Sequence, residues 1–242
     1  MRCFIGLDLH STEKLALDSW RQQALPEVTA RNMFNLSEGR AHNEVRGSES
    51  RRSKGKESKG KRRDSGASQP YAVNAANYHM TLSFLGHITH RQHEALVAEL
   101  DTLVHAPFSL TLDTTGIWNG PKILFAAPQS PPAELMALAK STRKAARSAA
   151  IEVDGKAFSP HVTVIRKATA ALPVPLYTPH IEMHASAFHL FESVSTPQGV
   201  TYPVRQSWNL KHNMSVREKL RRGINDESVS YTHLRAHETQ LH

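Results

Sequence analysis

Tyr78-His79-Met80-Thr81-Leu82 and Pro160-His161-Val162-Thr163-Val164 read almost the same. Each is His-x-Thr-x inside a run of apolar and β-branched residues, the composition of a half-buried strand. Alternate side chains of a strand share a face, so His79 and Thr81 point one way while Met80 and Leu82 point the other, and His161 and Thr163 repeat the arrangement. One such tetrapeptide is ordinary packing. Two copies in comparable settings imply an internal duplication whose polar faces converge on one site.

Outward from the motifs, the 242 residues suffice for one unit built from two halves with a sizeable core. Cys3 is the one cysteine, which excludes an intramolecular disulfide and a cysteine-based zinc site. No apolar run approaches the roughly 18 to 20 residues that span a bilayer, and Met1 to Leu9 is short and carries Asp8, unlike a secretory signal. A cytoplasmic protein without a membrane partner is expected. Between Arg40 and Arg63 lie ten Lys or Arg and three Glu, a local net of +7 out of the chain's +8. The remainder is near neutral, so the folded part lacks the broad cationic surface of a non-specific nucleic-acid binder.

From about residue 32 to 70 Ser, Gly, Lys, Arg and Glu dominate, and Ser48 to Ser68 holds no large apolar residue. Such a stretch buries too little surface to offset its ordering entropy and reads as a disordered basic insertion, a tolerated surface segment in preference to an RNA-tethering arm. Residues 211–242 are polar and histidine-rich and read as a disordered or non-native tail; His233 and His237 have the spacing of a helical metal pair but no third ligand. The domain therefore spans residues 1–210 around the insertion.

Within it, Arg2 to Leu9 reads as a buried strand, and Ser11 or Thr12 caps a helix with Ala16, Trp20 and Ala24 at helical spacing, ending near Pro26. Order resumes at Tyr71 to Val73, and the first motif strand runs from Tyr78 to Leu85. Thr89 and Gln92 form a capping box before the stripe Leu96, Val97, Leu100, Leu103 and Val104. Phe108 to Trp118 reads as one strand, turned at Asn119-Gly120-Pro121 into Lys122 to Ala127. Pro131 and Pro132 open a helix through Leu135, Leu138, Ala139, Thr142 and Ala146. Ile151 to Val153 reads as a short strand, Phe158 to Ile165 as the second motif strand, and His180 to Glu192 with Val200 to Leu210 as a long hairpin.

Two histidines facing across a groove suit general acid and base chemistry, because imidazole titrates near neutrality. A threonine two residues on adds a hydroxyl to the same face, and two such donors can hold the non-bridging oxygens of a phosphate. A mononuclear metal site is the competing reading, although no acidic residue stands in either motif as the further ligand zinc favours. A serine nucleophile lacks its Gly-x-Ser-x-Gly elbow. Two core histidines without chemistry are the plain alternative.

With its flanks the chain resembles the two-histidine phosphoesterases, and among them the bacterial RNA 2′,3′-cyclic phosphodiesterases, long called 2′-5′ RNA ligases. The resemblance rests on Arg2 to Asp8, on Asn77 to Gly86 and on Phe158 to Arg166, with support from Phe108 to Pro128 and Phe188 to Tyr202. It implies an α+β fold, a bilobal pseudo-twofold arrangement of two antiparallel sheets with helices on the outer faces and the active site in the groove between. It implies His79 and His161 as catalytic residues, with His161 as base and His79 as acid, and Thr81, Thr163 and Arg166 as phosphate ligands. Strict alternation from His161 puts Arg166 on the opposite face, so the role requires the strand to end or bulge near Ile165. Tyr71-Ala72-Val73 stands where the family has a basic or aromatic residue on a short link, and the tail has no family counterpart.

The expected reaction is metal-independent hydrolysis of a 2′,3′-cyclic phosphate end of RNA or an oligonucleotide to a 2′-phosphomonoester, by a monomer without a cofactor. Reverse 2′-5′ ligation is its minor counterpart. The rivals are a small cyclic nucleotide or ADP-ribose cyclic phosphate as substrate, and a non-catalytic RNA-binding protein that would not need all four motif residues.

Overall fold

The computed structural model describes residues 1–28, 69–169, 172–197, 199–212 and 221. All but Gln69 and Pro70 of the basic insertion and all but Lys211, His212 and Arg221 of the tail lie outside the described residues, as do His233 and His237.

The first strand, β1 (Arg2–Asp8), is apolar from Cys3 to Leu7 because it lies inside a sheet with both faces covered. Helix α1 (Ser11–Ala24) follows, capped one residue earlier than expected: the His10 N–H donates to Glu13 Oε2 at 2.7 Å. Its buried stripe runs through Leu17, Trp20 and Ala24, and Ala16 faces out. After β2 (Tyr71–Ala72) and a 3-10 turn at Ala75–Asn77, the first motif strand is β3 (His79–His87). Helix α2 (His90–Asp101) carries the expected capping box, with Thr89 N–H donating to Gln92 Oε1 at 3.0 Å and Gln92 N–H to Thr89 Oγ1 at 3.2 Å. Val104 lies past its end and is exposed.

The expected strand from Phe108 to Trp118 is two, β4 (Phe108–Leu112) and β5 (Thr114–Trp118). They part at Asp113, whose N–H donates to Ala127 O and whose carboxylate accepts the Gln129 N–H at 2.7 Å, bending the chain from one sheet into another. β6 (Ile123–Ala127) pairs with β5 as expected and leads to α3 (Ala133–Ser148). Ile151 to Val153 is not a strand: Ala150 takes φ 54, and the Ile151 N–H turns back to Ala146 O to close the helix. The second motif strand, β7 (Val162–Arg166), begins only after Pro160, which has no N–H for a ladder. His161 sits just ahead of it. The expected run from His180 is again two strands, β8 (Ile181–Ala185) and β9 (Ala187–Glu192), broken at Ser186. β9 and β12 (Val204–Asn209) form the long hairpin, extended by β10 (Val194–Thr196) and β11 (Gly199–Thr201).

The architecture is α+β with antiparallel pairing throughout. One eight-stranded sheet runs β12-β9-β1-β3-β7-β6-β5, with β2 on the free length of β7, so the two expected sheets are halves of one. The halves meet at a single pair, Met80 opposite Val162. About that pair the order reads alike from both sides: β3-β1-β9 on one, β7-β6-β5 on the other, with α1 between β1 and β3 and α3 between β6 and β7. The bent segments correspond too, since β4 and β8 pair in a separate ribbon after parting from β5 and β9. Met80, Val162, Val164 and Ile165 are wholly buried on the face that joins the hydrophobic core with α2 and α3. The opposite face carries the motifs.

Candidate active site

The Met80–Val162 pair sets the site. One residue either way along an antiparallel pair brings His79 toward Thr163 and Thr81 toward His161, on the face opposite the buried Met80 and Val162. The four motif residues therefore gather at the seam between the halves. Thr81 is buried and Thr163 half-buried.

Each histidine is held in the same way. His79 Nδ1 lies 2.7 Å from Asn77 O, and His161 Nδ1 lies 2.9 Å from Ser159 O, in both cases the carbonyl two residues back. A carbonyl oxygen only accepts, so Nδ1 carries the hydrogen and the neutral ring keeps its lone pair on Nε2. Two imidazoles with Nε2 as the working atom are what paired proton transfer needs.

Both strands also carry a bulge at the last position of the motif. In β3, Gly6 pairs with Thr81 and Ile5 with Ser83, leaving Leu82 as the extra residue; in β7, Phe125 pairs with Thr163 and Leu124 with Ile165, leaving Val164. Each bulge exchanges the faces beyond it. Arg166 comes onto the motif face, the condition that strict alternation denied it, and Ser83 turns into the core, where its Oγ has no partner. Gly6 is required at the first bulge, since a Cβ there would stand 2.8 Å from the Met80 carbonyl oxygen.

The walls are aromatic, which the motif strands alone did not reveal because the residues come from neighbouring strands and from the loop before β12. Phe4 lies 4.6 Å and Tyr202 4.8 Å from the His79 ring, and Phe4 stacks on Phe191 at 4.9 Å. Trp118 lies 4.4 Å and Phe125 5.6 Å from the His161 ring. Burial lowers the pKa of both imidazoles; for His79, Arg166 and His161 add to the burial while the Asn77 carbonyl and Asp8 oppose it, leaving about 4. Beside His79 a hollow opens between Asp8, Lys14, Asn77 and Tyr202, with Asp8 and Lys14 paired at 2.7 Å. Among the described residues no three His, Cys, Asp or Glu side chains stand close enough together to hold a metal ion.

Comparison with known proteins points one way. The family model described as LigT like Phosphoesterase matches residues 61–124, which include the first motif. The RNA 2′,3′-cyclic phosphodiesterase of Escherichia coli (strain K12) is 35% identical over 104 residues, 43% of this chain and 58% of that protein, so the match spans less than two thirds of its length. The protein of the same name from Bacillus subtilis (strain 168) is 30% identical over 129 residues, 50% of this chain and 70% of that protein. In fold, the chain is similar to Escherichia coli LigT complexed with 3′-AMP, at a TM-score of 0.66 and 22% identity over 87% of this chain and 98% of that one. TT0787 of Thermus thermophilus follows at 0.61 and 21% identity over 88% and 100%.

Proposed function

The chain belongs to the LigT-like phosphoesterase family, and from that premise we propose that it hydrolyses RNA 2′,3′-cyclic phosphate ends to 2′-phosphomonoesters by paired histidine catalysis without a metal. The observation that carries the reading is the matched Nδ1-to-carbonyl bond of His79 and His161, which leaves two Nε2 atoms at one seam. One neutral Nε2 takes a proton from water as its oxygen attacks phosphorus. The bond from phosphorus to the 3′-oxygen breaks, and that oxygen takes the proton from the other, protonated Nε2. Thr81 and Thr163 hydroxyls donate to the non-bridging oxygens, and the Arg166 guanidinium offsets the charge that builds on them. Run backwards with a 5′-hydroxyl in place of water, the same groups make a 2′-5′ bond, the minor activity in water.

The resemblance assigns His161 as base and His79 as acid. Burial lowers both imidazoles in the free site, so each is neutral at pH 7 and able to accept a proton, and whichever acts as acid gains its proton with the substrate bound. For the first order to operate, the bound phosphate must raise His79 by about 3 units, roughly 4 kcal/mol. On this reading the working unit runs over residues 1–210 around the insertion at about 32–70, acts as a cytoplasmic monomer and needs no cofactor. Among the described residues no helix is long and apolar enough to cross a membrane. Turnover of a panel of 2′,3′-cyclic phosphates (oligonucleotide, mononucleotide and ADP-ribose), with the product identified by phosphorus NMR, tests it. A 2′-monoester formed fastest on the oligonucleotide is expected, and 3′-monoester products or no turnover would overturn the proposal.

A further inference from the structure

Two cations stand in a row where β7 ends. Arg166 is on the motif face, and so is Tyr71, its partner on β2. Strand alternation would send the next residue, Lys167, into the core, which is where Leu85 lies at the corresponding place in the other half. Instead Lys167 takes φ 57, a left-handed backbone that a residue with a Cβ adopts only at a cost, and its Nζ comes over the Tyr71 ring, 5.8 Å from the centroid. The bend is fixed from behind, since the Ala168 N–H donates to Lys122 O at 2.8 Å and Ala168 is wholly buried. The Lys167 ammonium is thereby kept on the side of the site, one residue further from the seam than Arg166. It has no anionic partner there: among the described residues Lys14, Arg21, Lys156 and Arg205 are each paired with a carboxylate, and neither Arg166 nor Lys167 is.

We propose that Lys167 binds the phosphodiester on the 5′ side of the terminal nucleotide, so that the site takes an RNA end in preference to a free cyclic mononucleotide, an inference that rests on the phosphodiesterase reading. A 2′,3′-cyclic phosphate carries a single negative charge, which Arg166 offsets. The ammonium beside it remains for a second charge, and the next phosphodiester of an RNA chain supplies one. The corresponding place on β3 is apolar, so the two halves draw the strand in one direction, along β7 and β2. An ammonium is a compact point charge with rotatable donors, and its contact with a phosphate positions the chain without reading a base.

The test compares kcat/KM on a diadenosine dinucleotide that ends in a 2′,3′-cyclic phosphate with that on the same dinucleotide whose internal link is a neutral methylphosphonate. Wild type is expected to prefer the charged link by about 5- to 10-fold at low salt, the scale of one charge-assisted contact in a partly solvated place. From about 50 to about 200 mM salt that preference should shrink about 2- to 3-fold, as one phosphate contact to a single strand requires. Lys167→Asn, neutral and tolerant of left-handed backbone, should abolish the preference, and Lys167→Arg should keep it. Lys140→Gln removes an exposed charge from α3, on the far face of the sheet, and should leave the preference unchanged. A preference that survives Lys167→Asn, that Lys140→Gln lowers as much, or that salt does not reduce would overturn the inference. So would a rate on ADP-ribose cyclic phosphate, whose pyrophosphate also supplies further charge, that exceeds the dinucleotide's and falls with Lys167→Asn. Equal wild-type rates on the two dinucleotides would overturn it and leave the phosphodiesterase reading standing. Wild type inactive on both, and on adenosine 2′,3′-cyclic phosphate as well, would overturn both.

Discussion

Acidification should unfold this protein partly through His79. Burial, with Arg166 and His161 adding to it, holds the imidazole at about 4 in the folded chain against 6.5 for a free one. Above pH 7 the ring is neutral in both states and contributes nothing to pH dependence. As pH falls through 6.5 the unfolded chain takes up a proton that the folded chain refuses, and stability is lost until the pH reaches about 4, where the folded state takes it up too. At about 1.4 kcal/mol per pH unit, the loss between pH 7.5 and 4.5 is about 2 to 3 kcal/mol from this one group. Other lowered groups, among them His105, His161, His189 and the Asp18 carboxyl, also titrate on the way down, so the informative quantity is a difference between variants. Urea unfolding of wild type and His79→Gln at the two pH values measures it, because glutamine removes the titration and leaves the rest. Wild type should lose about 2 to 3 kcal/mol more than the variant over that interval. Equal losses, or an NMR titration of the His79 ring with its midpoint near 6.5, would refute the desolvated environment of His79.

Four further outcomes are expected. Alanine at His79 or His161 should cut kcat by several orders of magnitude, whereas Thr81→Ala or Thr163→Ala should cost about 10² to 10³, as loss of one oxyanion donor does; steady-state rates with and without EDTA give these numbers and should not depend on the chelator. A cyclic substrate with sulfur at the bridging 3′ position has a leaving group that needs no proton, so it should restore turnover to whichever histidine variant lacks the acid and leave the other inactive. Rescue of both would show that neither histidine acts as base. Arg166→Met should raise the His79 midpoint, since it removes a cation that opposes protonation, and an unchanged NMR titration would place the guanidinium elsewhere. Deleting about residues 32–69 should leave the thermal midpoint and turnover of a cyclic mononucleotide nearly unchanged, and unfolding of the deletion variant would make that segment part of the fold.

Much of this was legible locally. Period-two alternation places His79 with Thr81 and His161 with Thr163, the Thr89–Gln92 box starts α2, and the turn signal Asn119-Gly120-Pro121 falls between β5 and β6, where Trp118 pairs with Ile123. Each of these depends on residues within one or two turns of chain, where side-chain direction and hydrogen-bond capacity act without help from elsewhere. What the sequence could not reveal are events between distant segments. The runs Phe108–Trp118 and His180–Glu192 each read as one β-rich strand, yet each leaves one sheet for another, at Asp113 and Ser186, and the pairing of β4 with β8 marks the change. The bulges at Leu82 and Val164 have no signature in β3 or β7 themselves, because a bulge is a mismatch in count between a strand and its neighbour, here β1 and β6. That mismatch turns Arg166 and Phe84 onto the motif face. The depressed pKa of His79 has the same origin: the sequence supplies an imidazole that titrates near neutrality, and desolvation by Phe4, Phe191 and Tyr202, packed in from three other segments, decides which protonation state the folded site keeps.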